Sequence, residues 1–167
     1  SRGRDVTALE PDPSLHARLS GNVNGAVTVN GTLHEVPSGT VFDTVLYVNV
    51  LEHIRDDAAE LRAAASHLAP GGNIVVFVPA LPALYGTMDE VSGHHRRYRR
   101  AELHAVFAAA DLRITSITSF DPVGVVPYWV MYRVLRRTSL GSASVGLYDR
   151  VIIPLSRAAA GPCTSPS

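Results

Sequence analysis

Two short runs in this 167-residue chain hold most of the side chains able to do chemistry. One is Asn49-Val50-Leu51-Glu52-His53, and the other is His94-His95-Arg96-Arg97-Tyr98-Arg99-Arg100. The free pKa of His53 lies near neutrality, so its ring can act as a general base. It can equally be a structural histidine bonded to backbone at a helix start, and the residues alone leave both readings open. The arginines can clamp a phosphate or carboxylate in bidentate fashion. Their rival reading is salt bridging to Asp89 and Glu90. They precede a helix, where positive charge opposes the dipole, so a purely structural role is slightly disfavoured. His94 and His95 lack metal-ligand spacing and companion ligands, which argues against zinc.

Strands and helices alternate around these runs. Asp5–Glu10 is a short apolar run ending in an acid, followed by the turn Pro11-Asp12-Pro13. Ser14 is placed to cap a short helix to about Leu19, and Gly25–Val29 reads as a second strand. Asp43–Val50 and Asn73–Val78 are almost wholly apolar and β-branched, as in strands buried on both faces. Between them, Asp56 and Asp57 open a helix with Glu60 completing a capping box, and Pro70-Gly71-Gly72 ends it. An irregular stretch is predicted from Ala80 to about Arg99, a helix over Ala101–Ala110 and a strand over Leu112–Phe120. Such alternation predicts a mostly parallel α/β sheet with helices on both faces. Ligands bind such sheets at the carboxyl ends of their strands, which singles out Glu10, Gly31–Leu33, Asn49–His53 and Pro79–Tyr85.

Composition removes several classes of function. The 15 basic residues balance 15 acidic ones, so the broad positive field of a nucleic-acid binder is absent. Every basic residue is arginine, which excludes Schiff-base chemistry, a Walker-type lysine and a Tyr/Lys dehydrogenase pair. The lone Cys163 excludes an internal disulfide and a cysteine-rich zinc site. The longest apolar stretch, Val123–Tyr132, is about half the ~20 residues needed to span a bilayer. The longer segment Val123–Arg137 is open to three readings: a cover for a substrate pocket, a peripheral membrane contact through Trp129 and its arginines, or core packing. A cytoplasmic location is the default expectation.

From Asp5 to about Phe120 the chain resembles the class I S-adenosylmethionine-dependent methyltransferases. The resemblance rests on Val6-Thr-Ala-Leu-Glu10-Pro-Asp12, Gly31-Thr32-Leu33, Phe42-Asp43 through His53, and Leu68-Ala-Pro70-Gly71-Gly72 through Pro79, in that order and spacing. The stretch Leu84–Glu90 and then Gly93–Tyr98 resembles a bacterial branch of that family. The resemblance implies a Rossmann-like fold and S-adenosylmethionine as cofactor. It implies that Glu10 takes the ribose hydroxyls, Thr32 and Leu33 meet the adenine, and Asn49 and Val50 line the methyl-transfer cavity. His53 is then the candidate base, and His94, His95, Arg96, Arg97 and Tyr98 are the candidate substrate residues. Some relatives hold a metal with Glu-x-x-Glu-His; here Asn49 stands in the first position, so no metal is expected.

The family's opening strand and Gly-x-Gly loop have no counterpart in the sequence, and its closing strand has no good one. The expectation is an incomplete domain over residues 1–157 with a disordered tail over 158–167, binding the cofactor weakly. The implied reaction is methyl transfer to a small-molecule or glycan/lipid-type acceptor. The rival reading is a non-catalytic methyltransferase-like fragment or binding module.

Overall fold

The computed structural model describes residues 5–119, together with Arg150 and Pro154. Four strands and four helices follow in the order β1 (Val6–Leu9), α1 (Pro13–Asn22), β2 (Ala26–Val29), β3 (Phe42–Val48), α2 (Asp57–Ser66), β4 (Leu68–Phe77), α3 (Thr87–Ser92) and α4 (Arg100–Ala109). Single 3-10 turns occupy Leu33–Glu35, Leu51–His53 and Pro82–Leu84. The Val123–Arg137 segment and the tail lie outside the described residues.

The expected parallel pairing is present as two two-stranded sheets, β1 with β2 and β3 with β4. In the first, Val6 faces Ala26 and Leu9 faces Val29 in parallel register. In the second, Phe42 N donates to His67 O at one end and Asn49 N to Phe77 O at the other. Both partners advance together along the chain, so this pair is parallel as well.

Two compact units divide the chain, Ser1–Leu46 with Ala59–Val75, and Tyr47–Ala58 with Val76–Ser167. In the first unit Leu33, Val36, Leu61 and Ala64 are buried. Leu61 and Ala64 lie three apart on alanine-rich α2, which puts them on one helical face. In the second unit the buried apolar residues are Tyr47, Leu51, Leu84, Tyr98 and Ala110.

Several local expectations need correction. β3 and β4 are not buried on both faces: Leu46 is 62% exposed and Val75 47%, with Val48 and Phe77 similarly open. Along β4 exposure alternates residue by residue, the period-two pattern of a strand covered on one side. Asp12, not Ser14, caps α1: its Oδ1 accepts from the amides of Ser14 and Leu15 at 2.8 and 2.9 Å. Its carboxylate is the stronger acceptor and stands at the true N-cap, held below the usual carboxylate range by the Ser14 hydroxyl and these amides.

Pro70-Gly71-Gly72 lies within β4 and does not end the helix. Gly71 there has φ +80°, and a Cβ on Gly72 would come within 2.9 Å of Ala69 O and 3.1 Å of Asp43 O. The glycines admit a tight backbone path beside β3 that no side chain permits. The stretch expected to be irregular contains a 3-10 turn and α3, which Asp89 nucleates by accepting from Gly86 N at 3.0 Å. Residues 112–119 form no strand. Alternation there has no partner strand to satisfy its backbone among the described residues.

Candidate functional site

Glu10, Thr32 and Leu33 belong to the first unit, at the carboxyl ends of β1 and β2. Glu10 N donates to Val29 O, and Gly31 N donates back to Glu10 O, both at 3.1 Å. Asn30 Nδ2 adds a bond to Glu10 O at 2.9 Å. Four bonds of this ladder and its turn therefore set the acid beside the Gly31–Leu33 loop. One carboxylate oxygen of Glu10 accepts from Asp12 N at 2.9 Å, which aims the side chain along the turn.

Thr32 caps the 3-10 turn. Its amide and its hydroxyl both donate to Glu35 Oε2, at 2.6 and 2.8 Å. Those two bonds hold the Glu35 carboxyl below its usual range although it is exposed. Glu35, read from sequence as only a surface acid, is thus the brace of the loop. Leu33 is 5% exposed, so its side chain is already packed in the first unit's interior.

Asn49 and Val50 follow β3 in the second unit. Asn49 has φ +51°, the left-handed region that asparagine tolerates better than most residues. The chain turns there into the 3-10 turn Leu51–His53, in which Leu51 and Glu52 are wholly buried and His53 is exposed. A conformational reason for Asn49 therefore accompanies its departure from the Glu-x-x-Glu-His pattern.

Within the same unit the 94–98 run wraps Glu52 and His53. His95 N donates to Glu52 O at 2.8 Å, and His94 N donates to Asp89 O at 2.9 Å. Tyr85 Oη donates to His94 O at 2.8 Å, and Gly93, in the left-handed region at φ +76°, closes α3 against the His53 ring. The rings of His53 and His94 meet edge to face, 4.7 Å between centroids and 85° between planes.

Asp89 is the centre of this arrangement and is wholly buried. Its Oδ1 accepts from His94 Nδ1 at 2.9 Å and from Arg97 Nε at 2.8 Å. Burial pushes its carboxyl up, but the bonds from Arg97, His94 and Gly86 N outweigh that and hold it below the usual range. Glu52 has the opposite balance. Neither of its oxygens finds a hydrogen-bond donor among the described residues, and burial pushes its carboxyl up, against its own amide and the nearby His94, His53 and Arg97.

The remaining candidates have structural partners. Arg96 Nη1 donates to Asp57 Oδ2 at 2.6 Å, and its Nη2 to Arg55 O at 2.7 Å. Arg97 Nη1 donates to Ala80 O at 3.2 Å. Tyr98 Oη reaches Asp57 Oδ2 at 3.0 Å and Leu51 O at 3.2 Å. Burial, then the Asp57 carboxylate, push the Tyr98 hydroxyl well above its ordinary value, so it stays protonated. A cavity of about 450 Å³ lies among Asp57, Pro82, Tyr85, Arg96, Arg97 and Tyr98.

Sequence reasoning brought Glu52, His53 and the 94–98 run forward. It matched Asp89 to the arginines but missed its bond to His94, and it gave Asp57 only a helix-opening role. The signal for Asp89 lay in its place three residues after Gly86, the spacing of a helix-start acid.

The donor atoms of Glu52, His53 and His94 all lie within 4.8 Å of one another. Two imidazoles and a carboxylate can accept protons, or together hold a cation.

Parallel strands with helices between them, and polar residues gathered past the strand ends, define an α/β protein of the Rossmann-like kind. The chain belongs to the methyltransferase-domain family, whose sequence pattern matches residues 1–117. The fold is similar to that of the YcgJ protein of Bacillus subtilis, with a TM-score of 0.56 at 18% identity, covering 68% of this chain and 55% of that one. It is also similar to a candidate methyltransferase of Bacillus halodurans C-125, with a TM-score of 0.53 at 18% identity, covering 64% and 52%. The chain thus spans about half the length of these structural relatives. No curated protein matches the sequence. No described helix is long and apolar enough to cross a membrane.

Proposed function

We propose that the protein transfers a methyl group from S-adenosylmethionine to an oxygen, nitrogen or carbon nucleophile on a small-molecule or glycan/lipid-type acceptor. The observation that carries this reading is the methyltransferase-domain match over residues 1–117. In it, Glu10 offers a carboxylate to the two ribose hydroxyls, because an ionised acid can accept from two adjacent donors. The Thr32–Leu33 loop meets the adenine, and the backbone at Asn49 and Val50 lines the path of the methyl group. His53, exposed at the end of its turn, accepts the proton that O- or N-methylation releases. His94 and His95 face the acceptor, while Arg96, Arg97 and Tyr98 act through their bonds to Asp57 and Asp89 as braces of that wall. Aligning the nucleophile with the sulfonium methyl is the main catalytic contribution of such an arrangement.

The test is a titration of the isotopically labelled chain with S-adenosylmethionine, read by amide chemical shifts so that weak binding registers. Shifts are expected at Glu10, at Gly31–Leu33 and at Asn49–Val50. Glu10→Ala should weaken binding by about 1.5–3 kcal/mol, the range for hydrogen bonds to a charged group. Unchanged shifts at millimolar cofactor, or equal affinity in the variant, would overturn the assignment.

A further inference from the structure

We propose that Glu52, His53 and His94 form a binding site for a divalent transition-metal cation, with Asp89 fixing the orientation of the His94 ring. The proposal stands apart from the methyl-transfer reading, because it concerns only what these four side chains can hold.

Glu52 supplies the first observation. A carboxylate with no exposed surface and no donor on either oxygen is costly, since buried polar groups are almost always partnered. Something must answer it, and the groups nearest are imidazoles. His94 Nε2 lies 3.9 Å from Glu52 Oε1. That is too long for a hydrogen bond. It suits two donors that share one ion, each about 2.0–2.2 Å from it.

The other ring nitrogen shows why His94 faces Glu52 with a lone pair. A carboxylate that Arg97 keeps ionised can only accept, so the proton between Asp89 Oδ1 and His94 Nδ1 sits on the ring. The neutral ring then presents a bare Nε2 towards Glu52. A carboxylate behind one nitrogen and an open lone pair on the other is the usual arrangement of a metal-binding histidine. Arg97 and Gly86 N complete the support by tying Asp89 in place.

His53 is the third donor, within the same 4.8 Å triangle and edge-on to His94. The triangle runs from a buried carboxylate to an exposed imidazole, so its open side is on the His53 flank. Two nitrogens and one oxygen favour zinc, iron(II), cobalt(II) or manganese(II) over calcium or magnesium, which prefer all-oxygen shells. Three protein ligands leave coordination positions for water or for an oxygen donor of a small molecule. A cation there lowers the pKa of a bound hydroxyl, the task assigned to His53 when no metal is present.

Sequence spacing pointed away from this site because it weighed Asn49 as the missing ligand. The third donor comes instead from His94, in a segment far along the chain.

The experiment uses the full chain, stripped with a chelator and titrated with cobalt(II) alone. One equivalent should bind and give ligand-field absorption bands, and zinc(II) should displace it. Glu52→Gln and His94→Gln should each weaken binding by about 100-fold or more, and Asp89→Asn by about 10–100-fold, as for groups that orient a ligand. A second measurement needs no variant: manganese(II) should broaden the NMR signals of Glu52, His53 and His94 before all others. Absence of cobalt bands at millimolar metal would overturn the proposal. So would affinity indifferent to Glu52→Gln and His94→Gln, or broadening centred elsewhere.

Discussion

The two units of the molecule place their polar chemistry in opposite ways. In the first, the interior is Leu33, Val36, Leu61 and Ala64, while Glu10 and Thr32 sit on the rim at strand ends. Backbone ladders and an exposed acid, Glu35, hold that rim in place. In the second, Glu52, Asp57, Asp89 and Arg97 are buried among Tyr47, Leu51, Leu84 and Tyr98. A rim residue of the first unit can be removed without opening its core. In the second unit the candidate chemical residues are themselves part of the core, so function and stability cannot be altered separately.

The sharpest break of this contrast is Asp89→Ala. It strips the partner from buried Arg97 and from His94, and should cost about 3–5 kcal/mol in urea denaturation at neutral pH. The pH dependence follows from the sign of the shift. Asp89 is held below its ordinary 3.8, so its contribution is fully present above that value and disappears as pH falls through the lower folded value. The gap between wild type and variant should therefore narrow at the acid end. A gap that stayed constant would place the loss in packing instead of charge.

Gly72→Ala probes the first unit where it is rigid. A Cβ against the carbonyls of Ala69, Asp43 and Phe42 should cost about 1–3 kcal/mol, as other overpacked sites do. Its midpoint shift, set beside that of Asp89→Ala, compares backbone fit with buried charge. Tyr98→Phe removes the hydroxyl from Asp57 and Leu51 O, and a loss of about 1–2 kcal/mol is expected in the same assay. Smallest is the stability effect of Glu10→Ala, expected within about 0.5 kcal/mol as for ordinary surface sites. If it rivalled Tyr98→Phe, the division into a tolerant rim and a charged core would fail.

The parallel pairs were legible because their strands are dense in apolar, β-branched residues and are separated by capped helices. The degree of burial was not, since a continuous apolar run looks the same whether one face or two are covered. Pro70-Gly71-Gly72 has the composition of a helix stop, and only the close approach of Asp43 O shows that the glycines serve the strand. At the candidate site, Glu52-His53 and the arginine run stood out by residue type. The division of labour among them did not. Arg96 goes to Asp57 and Arg97 to Asp89, choices that depend on how the chain returns through space. Thr32 and Glu35 were separable only as a loop and a surface acid, although their three-residue spacing is that of a capping pair.

The returning segment has a consequence for the order in which the chain gains structure. Arg96 and Tyr98 both close on Asp57, Tyr98 also on Leu51 O, and His95 on Glu52 O. All four bonds span the long loop that contains α2 and β4, so each depends on the same closure of distant chain. None can form until that loop has been shut, and contacts of such separation slow a folding reaction. The clasp is then made together, late, and its loss falls on the rate of opening more than on the rate of folding. Residues that hold the candidate site also set how long the folded chain survives between openings.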